Sequence, residues 1–152
     1  MYYRIFDEVL ETDVPLPQLE ALTGTPAKTI RLQEGPVSYP DEALEFVHEW
    51  DGLFSYKTPS GYLLEFDEGL RADIDPEAAR IVCEKDADLD DIRFQHLISD
   101  QVIPRLIGHL GGFVLHAAAL RLQGEVVVLV GESGVGKSTL SSWLIDHQTL
   151  QS

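Results

Sequence analysis

Asparagine is absent from this chain of 152 residues, and cysteine occurs once. Without Asn there is no N-glycosylation acceptor, and nothing to fill the Asn position of a protein-kinase catalytic loop. Cys83 alone can form neither an internal disulfide nor a paired-cysteine metal site. Long apolar runs are missing too. The longest, 113–120 and 126–130, fall far short of the ~20 residues that span a bilayer. Basic residues are scarce: 11 Lys and Arg stand against 26 Asp and Glu, for a net charge of −15. Nucleic-acid affinity is built from Lys and Arg on phosphates, so no nucleic-acid partner is expected. Met1-Tyr2-Tyr3-Arg4 leads into Asp7 and Glu8 with no apolar leader core. A cytoplasmic protein with no membrane partner is the expectation.

What is present suits a folded domain. Apolar residues make up 44% of the chain, ordinary for a globular protein long enough to bury a core. The charge is uneven. Residues 1–95 hold 22 of the acidic and 8 of the basic residues, whereas 96–152 hold 4 and 3. A solvated acidic surface explains this better than a basic partner.

The first part alternates in short pieces. Residues 1–22 read as extended, with Pro15 and Pro17 forbidding a helix. Residues 29–33 alternate with period two, as a strand does. Residues 41–50 admit a short helical turn capped by Asp41, with Phe46 and Trp50 on a hydrophobic edge. His48 beside Glu45 and Glu49 lacks a second histidine at ligand spacing, which disfavours a metal site. Residues 53–56 and 62–66 flank Pro59-Ser60-Gly61 as a hairpin, and 70–74 and 78–83 add two more strands. Cys83 lies in an apolar run and reads as core. The expected result is a small antiparallel sheet over 1–90. Asp90 or Asp91 can cap a helix running to Leu110, which Pro104 bends and Gly108, Gly111 and Gly112 end. Residues 113–120 then read as a buried strand containing His116, and Gln123-Gly124 as the turn into the next strand.

That next strand leads to the most informative stretch. Gly131-Glu132-Ser133-Gly134-Val135-Gly136-Lys137-Ser138-Thr139 fits G-x-x-x-x-G-K-[ST], the phosphate-binding P-loop pattern. Residues 125–130 are apolar on both faces, as a central parallel strand should be. Leu140, Trp143 and Leu144 share one helical face. Gly131, Gly134 and Gly136 let the main chain approach a phosphate. The amides around Ser133 to Thr139, Val135 included, would meet phosphate oxygens at a helix start. Lys137 would reach the β- and γ-phosphates, Ser138 would place its hydroxyl on Mg²⁺, and Thr139 would contact the α-phosphate. ATP with magnesium is the expected ligand.

Leu115-His116-Ala117-Ala118-Ala119, the Gly124 turn and the loop together resemble the C-terminal region of the bacterial HPr kinase/phosphorylase family and its kinase-related relatives. In that family a histidine stands 15 residues before the first loop glycine, the same spacing as His116 to Gly131 here. Residues 10–17 and the helix 100–110 are similar more weakly. The resemblance implies an α/β fold of the phosphoenolpyruvate-carboxykinase type over 91–152, preceded by the strand-rich region 1–90. It implies an ATP-dependent serine kinase, a transferase acting on a carrier protein or peptide, with His116 supporting an aspartate pair that follows the loop helix.

The chain departs from the family at that pair. Only 15 residues follow Lys137, and Gln148-Thr149-Leu150-Gln151 opens what reads as the next strand. Asp146 lies about two and a half turns along the loop's own helix and points away from the phosphates. The expectation is therefore a piece of a protein of roughly twice this length, binding nucleotide weakly and inactive alone. Apolar surface left by the missing half would drive copies into a homo-oligomer. Two alternatives stand beside the kinase. One is a non-catalytic nucleotide-sensing or peptide-binding module. The other is an ABC-type transport ATPase, against which counts the lack of a base-stacking aromatic upstream of the loop: Phe113 is the nearest, and no Tyr or Trp lies between Tyr62 and Trp143.

Overall fold

The computed structural model describes residues 1–27, 29–39, 44–132 and 134–149. The protein is a mixed α/β molecule with two compact units, 1–112 and 113–152. The helical stretch after residue 90 therefore belongs with the strands before it, whereas the sequence reading grouped 91–152. The reason is burial: its apolar stripe packs into the core of the first unit.

Among the described residues the first unit holds nine strands: β1 (Tyr2–Ile5), β2 (Glu8–Thr12), β3 (Glu20–Ala21), β4 (Ile30–Glu34), β5 (Glu45–Trp50), β6 (Leu53–Thr58), β7 (Gly61–Phe66), β8 (Leu70–Asp75) and β9 (Arg80–Lys85). They form one sheet in the order β3-β1-β2-β4-β9-β8-β7-β6-β5. The small antiparallel sheet expected from sequence is thus larger, and it is mixed. β4 runs parallel to both β2 and β9. The long connections on either side of β4 permit this, since parallel neighbours need a crossover and not a tight turn.

Alternation sets the core. Leu70, Ala72 and Ile74 of β8 are buried, as are Ile81 and Cys83 of β9 and Ile30 and Leu32 of β4. The register lines up Leu32 with Ile81, Ile81 with Ile74, and Ile74 with Tyr62. Full burial of each aliphatic side chain contributes about 1.5–3 kcal/mol. A period-two pattern therefore commits the whole face to the inside, because a one-residue slip would expose every member.

Two helices cover that face, α1 (Asp91–Leu97) and α2 (Ile103–His109), joined by one π-helical turn over Ile98–Val102. Asp90 caps α1 by accepting from the Arg93 amide at 3.0 Å. Pro104 sits in the first turn of α2, directly after the widened turn, where the regular α-helical ladder is already interrupted. The widened turn carries the Ile103 amide to Ile98 O. Phe94, Leu97, Ile98, Val102, Ile103, Leu106 and Ile107 are buried. Polar ties secure the helices: Arg93 to Glu68, Lys85 to Asp91, and Gln18 Nε2 to Ser99 Oγ at 2.6 Å. Gly111 ends the run at φ 90°, and the Gly112 amide closes back on Ile107 O at 2.9 Å.

Residues 45–50 correct the expected helical turn. They form edge strand β5, antiparallel to β6, with an irregularity between Phe46 and His48. Pairing with a neighbour outweighed a helical spacing too short to propagate. Asp41, its expected cap, lies outside the described residues. Phe46 and Trp50 are exposed on this edge. Among the described residues no helix is long and apolar enough to cross a membrane.

Candidate functional site

The second unit is a hairpin followed by a helix: β10 (Ala117–Leu122), β11 (Glu125–Val130) and α3 (Lys137–Thr149). Gln123 and Gly124 make the turn, at φ 50° and 90°. Both central residues at positive φ is the geometry that matches the twist of a two-residue hairpin.

The strands differ from expectation in their neighbours. β11 pairs antiparallel with β10, and among the described residues it has no parallel partner. It is not a buried central strand: Val126, Val128 and Val130 are 61%, 45% and 66% exposed. A doubly apolar strand states what it can bury, not which neighbours it receives. The strand expected over 113–120 begins only at Ala117, and within 113–120 only Leu120 is buried. His116 is exposed and precedes the first strand residue.

The register explains where His116 stands. Ala117 pairs with Val130, so the next step along each strand is His116 on one side and Gly131 on the other. The 15-residue spacing is what this hairpin consumes, and it brings the imidazole-bearing residue to the start of the glycine-rich loop.

The loop itself occupies 131–136 between β11 and α3. Gly134 and Gly136 adopt φ 79° and 94°, which side chains rarely accept. A Cβ on Gly131 would stand 3.0 Å from Val135 Cγ1. The Val135 amide turns back to Glu132 O at 3.4 Å, and the Leu140 amide makes a helical bond to Gly136 O at 2.9 Å. The amides of Lys137, Ser138 and Thr139 lie ahead of that bond, in the first turn where a helix offers no acceptor. Ser133 lies outside the described residues.

Lys137 reaches across this turn. Its Nζ donates to Gly131 O at 2.8 Å and to Glu132 O at 2.9 Å. The ammonium therefore rests on main-chain carbonyls at the base of the loop. Sequence reasoning did not find these two partners, because any residue type supplies a carbonyl.

Among the described side chains of α3, Lys137, Ser141 and Leu144 are half-buried and form one helical stripe. Leu140 and Trp143, expected to share Leu144's inward face, are 47% and 52% exposed, and Trp143 stacks on His147 at 4.0 Å. The helix continues through Thr149, so Gln148 and Thr149 do not open a strand. Leu150 and Gln151 lie outside the described residues. Asp146 is exposed, on the opposite side of α3 from Lys137. Among the described residues no group of three or more His, Cys, Asp or Glu could hold a metal ion.

Comparison with protein-family models, curated proteins and solved structures yields no match to this chain.

Proposed function

We propose that residues 131–139 bind the phosphate tail of ATP, and that the chain is the nucleotide-binding portion of an HPr-kinase-like serine kinase acting on a protein or peptide hydroxyl. One observation carries this reading: an ammonium, Lys137 Nζ, lies against the carbonyls of a glycine turn that joins a strand to a helix start. The two carbonyls carry no net charge, so a phosphate would add a Coulombic attraction to the ammonium that they lack. A triphosphate would draw Lys137 off Gly131 and Glu132. It would also meet the first-turn amides of α3 at the positive end of the helix dipole.

The donor set fits the phosphates better than it fits the metal. Ser138 offers one hydroxyl to Mg²⁺, and the phosphate oxygens would supply further ligands. His116, which precedes Ala117, the register partner of Val130, would bring a side chain of acid–base type to the start of the loop. Phosphoryl transfer also needs a group that positions the nucleophile and an acidic ligand for the metal. Asp146 faces away, so binding without transfer is the expected behaviour of these residues.

The test is titration of the chain with a fluorescent ATP analogue and Mg²⁺, alongside Lys137→Ala. Loss of charged hydrogen bonds worth about 1.5–3 kcal/mol weakens binding roughly 10- to 150-fold. Equal affinity of the two proteins would remove the phosphate role.

A further inference from the structure

The first unit contains a cavity of about 340 Å³ between α2 and the sheet strands β5 to β8. Leu64 and Ile74 are among its apolar lining residues, and Arg105, His48, His109 and Tyr62 among its polar ones. Tyr62 and His109 hold the helix end to the sheet, with ring centroids 4.7 Å apart. Among the described residues no Asp or Glu lines it. In a chain of net charge −15, a cavity lined by one arginine and two histidines runs against the composition.

Arg105 is also unlike the other arginines of its unit. Arg4, Arg31, Arg71, Arg80 and Arg93 are each ion-paired to a carboxylate. Arg105, half-buried, has no carboxylate partner among the described residues. Its Nη1 donates to Gln101 O, and to Gln101 Oε1 at 3.1 Å. Burial pulls the guanidinium below its ordinary pKa, with no charged neighbour among the described residues to offset it. A half-buried cation of this kind is costly unless an anion joins it.

We infer that this cavity binds an organic carboxylate with an apolar body, its charge on Arg105 and its body against Leu64 and Ile74. The volume is that of small-molecule sites, which are mostly apolar with a few convergent polar groups. One guanidinium suits a single planar carboxylate, which it can meet with two parallel hydrogen bonds. A polyphosphate would require several cations. The carboxylate has two sources, a free small acid or the C-terminal residue of a peptide, and the chemistry that Arg105 recognises is common to both.

The experiment titrates the full chain with 3-phenylpropionate and with its neutral amide, following amide chemical shifts. The acid is expected to bind and to perturb residues around Arg105 and Tyr62, and the amide to bind at least 10-fold more weakly. Equal binding of the two would overturn the assignment, as would binding of neither. A tripeptide ending in Phe, with free or amidated carboxyl, separates the sources. Arg105→Met should weaken the acid at least 10-fold. Gly108→Leu covers the case in which that variant fails to fold. Gly108 lines the same cavity, a Cβ there meets nothing within 4 Å, and leaving glycine favours the helix. Gly108→Leu should fill the cavity and abolish binding. Wild-type affinity in either folded variant sinks the proposal.

Discussion

Ala117 stands opposite Val130 in the hairpin of the second unit, so the chain enters its glycine-rich loop directly across from His116. Fourteen residues separate the histidine from Gly131 in sequence, yet the register makes them neighbours in the ladder direction. A spacing that reads as a family resemblance is, physically, a hairpin with a two-residue turn. The turn at Gln123 and Gly124 fixes that register.

The loop depends on glycine at Gly136. Its φ of 94° costs an alanine about 1–2 kcal/mol. Gly136→Ala is expected to reshape the loop and weaken ATP-analogue binding while the far-ultraviolet dichroism of the chain stays unchanged. Undiminished affinity would count against the loop as the phosphate contact.

The first unit depends on the contact of its helices with the sheet. Leu106 is fully buried on α2. Truncation to alanine leaves a cavity, and Leu106→Ala should destabilise by about 2–5 kcal/mol, read as a lower urea midpoint. A loss well under 1 kcal/mol would mean that the helix packs loosely.

The pairing of Arg93 with Glu68 carries a pH signature. Hydrogen bonding from Arg93 holds the Glu68 carboxyl below its ordinary value. A depressed folded-state value means the stabilisation is present above the ordinary carboxylate range, near pH 4, and lost as pH falls through the lowered value. Both side chains are well exposed, so solvent limits the effect to about 1 kcal/mol or less. Glu68→Gln should differ from wild type by that amount in urea unfolding at pH 7, with the gap closing in acid. A gap that widened on acidification would reverse the assignment.

Cys83 is fully buried on β9, and burial pushes its thiol up. A thiol reagent should label it only when the sheet opens, at a rate that rises with denaturant. Prompt stoichiometric labelling of the native chain would contradict the register that places Cys83 beside Ala72.

Much of the local structure was legible because it rests on short-range physics. Alternating residues mark β4, and short strand-like runs between turns mark β7, β8 and β9. Pro59-Ser60 and Gln123-Gly124 marked their turns, and Asp90 marked the start of α1. The misreadings fall where neighbours decide. Residues 41–50 are ambiguous by spacing, and 45–50 take β6 as a partner. Residues 125–130 looked like a central parallel strand, and a two-residue turn bound them antiparallel to β10. Arg105 reads in sequence as one more charge along a helix, and only folding sets it in a cavity with no carboxylate among the described lining residues.

From residue order alone one can read the elements of the loop: which glycines free the backbone, which lysine can reach, and where a helix begins. Backbone sterics and periodicity act over a few residues, and those few residues are written in the chain. Sheet order, the two parallel pairings of β4 and the cavity beside Arg105 arose only on folding. They are set by contacts between residues far apart in sequence, whose energies depend on which surfaces meet.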